Sequence, residues 1–142
     1  MNEEVAAKPE GIFYWIALAG LVLNFFGSRA YYAQATLTPQ EMAELPEGLR
    51  MAIESEPVWA TAAYAIGVFG GVLGCVMLLF RRAWAIPVFV ASFAGVLARF
   101  FYVYITPDIA GGPGVVTSIT PLFVSGFFVW YARTAMQKGW LK

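Results

Sequence analysis

Hydrophobic positions along this chain gather into four blocks, residues 11–33, 57–80, 83–105 and 115–132, separated by short polar stretches. A bilayer's hydrocarbon core is about 30 Å thick, and a helix rising 1.5 Å per residue needs about 20 apolar residues to cross it. The pattern predicts an all-α protein: one transmembrane domain over residues 1–142, a polytopic four-helix bundle with a short amphipathic helix in its external loop. That loop, residues 36–56, opens with Thr38-Pro39-Gln40-Glu41, a capping box with proline at the first helical position. Met42, Leu45, Leu49 and Ile53 then recur at three- and four-residue spacing among Glu41, Glu44, Glu47, Glu54 and Glu56. Pro46 divides this stretch into two short helical pieces lying on the membrane surface or over the bundle mouth. Residues 106–114, rich in Gly and Pro, read as a tight turn. Pro87 falls in the first turn of the third helix; Pro121 falls inside the fourth and should kink it, with Thr117 placed to satisfy a freed backbone group.

Composition agrees with the blocks. Hydrophobic residues make up 60% of the chain and charged residues only 13%, about half the share of a soluble domain. There is no histidine, which removes bis-histidine haem, the usual zinc and copper sites and the commonest general base. The single cysteine, Cys75, lies inside the second block and reads as a small packing residue; a thiol oxidoreductase needs a pair. No catalytic, metal-binding or nucleotide-binding signature is present, so neither an enzyme nor a cofactor is expected. Nine acids balance nine bases, and no overall field favours nucleic acid. Residues 1–10 carry three acids and one lysine, unlike the basic start of a signal peptide, so the first block reads as a retained helix.

Basic residues give the orientation, because Lys- and Arg-rich loops stay in the cytoplasm. Lys8, Arg81, Arg82, Arg133, Lys138 and Lys142 fall on the side of the termini, and Arg50 alone falls on the other. Both termini are therefore expected in the cytoplasm. Trp15, Trp84 and Trp130 mark that interface, and Tyr31, Tyr32, Trp59, Tyr102 and Tyr104 mark the opposite one.

Within the blocks, small residues define packing faces. In the second, Ala63, Gly67, Gly71 and Cys75 recur every four residues, with Gly70 and Gly74 in a register beside them. In lipid, close backbone approach through small residues drives helix association, so this face packs inside the bundle or between protomers. Gly20, Asn24, Gly27 and Tyr31 form a matching stripe in the first block, and Ser92, Gly95, Arg99 and Tyr102 one in the third. Asn24 and Arg99 lie about 20 and 24 Å from the cytoplasmic starts of their helices, in the external half of the membrane. A charge within a span is normally paired, solvated or functional. No acid lies inside any apolar block, so Arg99 must be met from the loops, by Asp108, Glu54 or Glu56, with Asn24 and Tyr102 as neutral neighbours. A polar clamp and a polar-solute site both remain open. Arg29, off the small stripe and near the external interface, reads as a snorkelling residue.

The run from Glu56-Pro57-Val58-Trp59 through Gly67, Gly70, Gly71 and Gly74 to Arg81-Arg82-Ala83-Trp84-Ala85, with Asn24 to Gly27 in the first block, resembles a family of small four-span bacterial inner-membrane proteins. Members are sometimes labelled sugar transporters. The resemblance covers the first three blocks and implies a four-span fold and a multi-pass inner-membrane location. Two functional readings follow. One is a non-enzymatic accessory or interaction module whose partners are the bilayer and another membrane protein or a second copy. The alternative is a small-solute transporter, for a sugar if the family label applies, acting as an oligomer. The missing intramembrane acid weighs against ion-coupled transport. A polar cavity reaching the midplane between Asn24 and Arg99 would favour transport; a packed interior would favour the module.

Overall fold

The computed structural model describes residues 7–105 and 114–142, with side chains over 7–105 and 119–142. The described residues fold into helices: α1 (Gly11–Ala35), α2 (Pro39–Glu44), α3 (Glu47–Glu54), α4 (Val58–Leu79), α5 (Ala85–Ile105) and α6 (Gly114–Gln137). Among the described residues, α1, α4 and α5 are long and apolar enough to cross a membrane. Their outward faces carry Trp15, Leu23, Phe25, Phe26, Trp59 and Phe101 in the open, more apolar surface than a protein in water leaves uncovered.

The segment between α1 and α4 folds as two short helices broken at Leu45-Pro46. Thr38 Oγ1 accepts from the Glu41 backbone N–H at 3.3 Å, while the Glu41 carboxylate accepts from the Thr38 N–H at 2.8 Å. This reciprocal cap satisfies donors that a short helix would otherwise leave to water.

Two seams centred on α4, and a third between α5 and α6, hold the long helices together. Toward α5 the chain runs antiparallel: Gly74 meets the Phe89 ring, Gly70 meets Ser92, and Gly95 lies against the Ala63 carbonyl and Gly67 nitrogen. A Cβ at Gly95 would stand 2.5 Å from that carbonyl oxygen, so only glycine permits the approach. The buried Ser92 hydroxyl donates to the Gly67 carbonyl at 2.5 Å across the seam. Toward α1, Gly71 faces Asn24 and Val68 faces Gly27. The small-residue face of α4 is thus divided between two neighbours of the same chain. In a solvent as apolar as the side chains themselves, this backbone approach replaces hydrophobic drive.

Larger side chains close the end where residue 7 and the last residues of the chain lie. Phe13, Phe89, Phe128, Tyr131 and Leu78 form the buried core there, with Trp140 and Leu141 folded back onto it. The α6 helix continues past Pro121 and well beyond the apolar block, to Gln137. It stops at Gly139, whose φ of +70° lets the Trp140 N–H reach back to the Ala135 carbonyl at 2.9 Å. The α4 helix ends in the same left-handed cap with an arginine in the glycine position: Arg81 has φ +57°, and the Arg82 N–H bonds the Met77 carbonyl at 2.8 Å. The Arg81 side chain then fastens three segments. Its Nε donates to the Trp140 carbonyl at 2.7 Å and Nη2 to the Ala7 carbonyl at 2.9 Å. Backbone bonds between Arg81 and Lys142 and between Ala83 and Lys142, both 2.7 Å, complete the knot. Residue 7, the α4–α5 connection and the chain's last residues consequently share one face of the molecule.

Candidate functional site

At the opposite face the two seams open into a polar cluster. Tyr31 of α1 packs edge-on against Tyr64 of α4 at 5.4 Å, and Trp59 of α4 against Tyr102 of α5 at 5.5 Å. Arg99, one helical turn before Tyr102 on the α5 seam, is brought over the Tyr64 ring, 4.0 Å from its centroid. Its Nη1 forms an ion pair with Glu56 Oε1, and the two side chains retain 20% and 5% of their exposure. The second carboxylate oxygen accepts from Gln34 Nε2 of α1 at 3.1 Å. The Tyr102 hydroxyl donates to the Ser55 carbonyl at 3.1 Å. Residues from α1, α4, α5 and the α3–α4 connection therefore converge on one charge-balanced node, which bolts the α2–α3 segment to the helix ends.

Each group has a physical reason for its place. Glu56 precedes Pro57, the N-cap of α4, so its side chain leaves the chain where α4 enters the membrane. Arg99 lies six residues before the end of α5, about 9 Å inside it, and its long side chain reaches outward to the acid. A desolvated arginine needs both a counter-charge and further partners, and here a carboxylate and an aromatic face supply them. A recess of about 160 Å³ lies on the far side of the carboxylate, lined by Tyr31, Gln34, Ile53, Glu56 and Thr61.

The acid facing Arg99 is Glu56; Glu54 is exposed on α3 and takes no part in the pair, and Asp108 lies outside the described residues. Asn24 stands apart from this cluster. Its Nδ2 donates to the Gly20 carbonyl at 2.8 Å and approaches Cys75 Sγ at 3.9 Å, and its amide caps Gly71. Gly71 is seven residues beyond Tyr64, so Asn24 sits about 10 Å deeper than Arg99 along α4. The expectation that Arg99 points toward Asn24 is corrected accordingly: the α1 stripe meets α4 residue by residue, and Arg99's level belongs to Tyr31 and Gln34. Ala63, Gly67, Gly70, Gly71 and Gly74 all lie on α4 faces turned to α1 or α5.

Three contributors were not singled out from sequence. Gln34 continues the Gly20–Asn24–Gly27–Tyr31 stripe by one further three-residue step, a signal that was available. Tyr64 follows Ala60 by one turn on a helix with many aromatics, and nothing in its spacing distinguishes it. Arg81 was legible only as a basic loop residue; its left-handed backbone and clamp depend on where the chain's last residues fold.

Among the described residues, no three His, Cys, Asp or Glu side chains gather as metal donors. Within the node the Glu56 carboxylate and the Arg99 guanidinium balance one another's charge. No family model, curated protein or solved structure matches the chain.

Proposed function

We propose that this chain is a four-span protein of the bacterial inner membrane, both termini cytoplasmic, that acts without catalysis as an accessory or interaction module. Close packing at the two α4 seams is the observation that carries the reading. Below the node, Asn24 lies against Gly71 and Cys75, and Gly95 against the backbone of Ala63 and Gly67. Moving a solute through either seam requires separating backbones in contact. Six basic residues on the face of the termini, against Arg50 on the other, support the orientation. The glycine face is consumed within one chain, so association with a partner would use the outward apolar faces and the external pair α2–α3, where Leu49 and Met51 are exposed among glutamates.

Extraction of the tagged full chain from native membrane into polymer nanodiscs, followed by mass spectrometry, tests this. The reading expects one membrane protein recovered in constant ratio with the chain. A chain recovered alone that also carries solute into proteoliposomes contradicts it. That result would favour transport, for which the recess beside Glu56 is the supporting feature.

A further inference from the structure

A second cavity lies away from the polar node, between α1 and α6. The two helices touch at the end near the termini, where Phe13 stacks on Tyr131 at 6.1 Å and meets Trp140 edge-on at 5.6 Å. The next contact is Phe128, whose ring lies on bare Gly20; a Cβ there would come within 2.0 Å of it. Around that contact the helices leave a groove of about 390 Å³, walled by Ile16, Ala19 and Leu23 on one side and Phe123, Val124 and Phe127 on the other. We propose that this groove holds an acyl chain of a phospholipid from the leaflet on the side of the termini.

Depth, size and rim all point to that occupant. Ile16 and Leu23 are five and twelve residues into α1, about 8 and 18 Å from its start, so the groove runs from beneath the headgroups toward the midplane. No polar side chain lines it, and an apolar cavity excludes water. A cavity of about 150 Å³ takes one benzene, so this volume accommodates about sixteen carbons, the size of one acyl chain. A helix of a partner or a second copy would need small residues to bring backbones close. The rim instead carries Phe123, Phe127 and Leu23, all exposed, whose bulk keeps another helix at a distance while a flexible chain can thread between them.

The inference rests on α6 crossing the membrane beside α1, and the test separates the two. The full chain is reconstituted into vesicles of phosphatidylethanolamine and phosphatidylglycerol containing a phospholipid with a photoreactive acyl chain, and adducts are mapped after illumination. Adducts at Leu23, Phe123 and Phe127 should exceed those at Val22 and Phe25, exposed on other faces of α1, several-fold. Ala19→Leu, which fills the groove, should bring them down to the Val22 level with unfolding temperature unchanged. Equal labelling of all these positions in the parent overturns the proposal, whether or not the variant folds. Disulfide-linked dimers of Leu23→Cys in a Cys75→Ala background overturn it too, because a second copy then covers the groove. Reaction of Phe127→Cys with a water-soluble, impermeant maleimide would show α6 outside the membrane, a failure of the underlying reading seen in a different readout.

Discussion

Removing either half of the Arg99–Glu56 pair should have unequal effects, and the geometry sets how unequal. Glu56→Leu strands a guanidinium with 20% of its exposure left, and arginine cannot shed its proton. Breaking a fully buried pair costs about 3–5 kcal/mol. The Tyr64 ring, still 4.0 Å beneath the charge, offsets part of it, which leaves a loss of about 2–4 kcal/mol. Arg99→Leu strands the carboxylate with Gln34 as its remaining partner. That carboxylate keeps a neutral donor, whereas the guanidinium of Glu56→Leu keeps only the ring, so Arg99→Leu should cost less than Glu56→Leu. The double variant, with two apolar side chains in place of the pair, should return to within about 1 kcal/mol of the parent. Unfolding in mixed micelles with rising dodecyl sulfate, followed by circular dichroism at pH 7, gives all three values. Losses below about 0.5 kcal/mol for both single variants would match an exposed pair and refute the desolvated node.

Three further outcomes follow from other parts of the molecule. Gly71→Leu drives a side chain into the Asn24 amide, 2.0 Å from where its Cβ would stand, and should cost about 2–3 kcal/mol in the same assay, against under about 1 kcal/mol for Val72→Leu; equal losses would contradict the α1–α4 seam. Arg81→Ala loses the clamp and keeps the left-handed strain, whereas Arg81→Gly loses the clamp but relieves that strain, so alanine should be the worse of the two by about 1 kcal/mol; glycine equal to alanine would refute this. Hydrogen bonds from the Thr38 backbone and hydroxyl hold the Glu41 carboxyl below its ordinary value of 4.5, so the α2 cap is intact above that pH and is lost as pH falls through the lowered value. The protection factor of the Glu41 amide, its exchange relative to the intrinsic rate at each pH, should fall on acidification in the parent and stay near one throughout in Thr38→Ala; a protection factor unaffected by pH would contradict the cap.

The long helices could be read from sequence because lipid makes the rule simple: apolar runs of sufficient length become helices, and caps such as Thr38–Glu41 depend on neighbouring residues alone. The seam positions were legible for the same reason, since a stripe such as Ser92–Gly95–Arg99–Tyr102 has one meaning at helical spacing. Pairing across seams was not. Whether Gly71 meets α1, α5 or another chain depends on helix rotation, which the α4 pattern leaves open because it has small residues on two adjacent faces. Arg99 needed an acid from a loop, and three were in reach; Glu56 takes the place because Pro57 begins α4 beside it, while Glu54 points to water on α3. The Arg81 knot joins residues 7, 81, 140 and 142, a closure that no local pattern encodes.

Side-specific labelling of whole cells tests the membrane reading most directly. In a Cys75→Ala background, Ser55→Cys lies at the node's face and Gln137→Cys at the face of the termini. The account predicts that an impermeant maleimide labels Ser55→Cys in intact cells and labels Gln137→Cys only after the membrane is opened. Labelling of Gln137→Cys in intact cells, with Ser55→Cys or without it, would contradict a four-span chain with both termini in the cytoplasm.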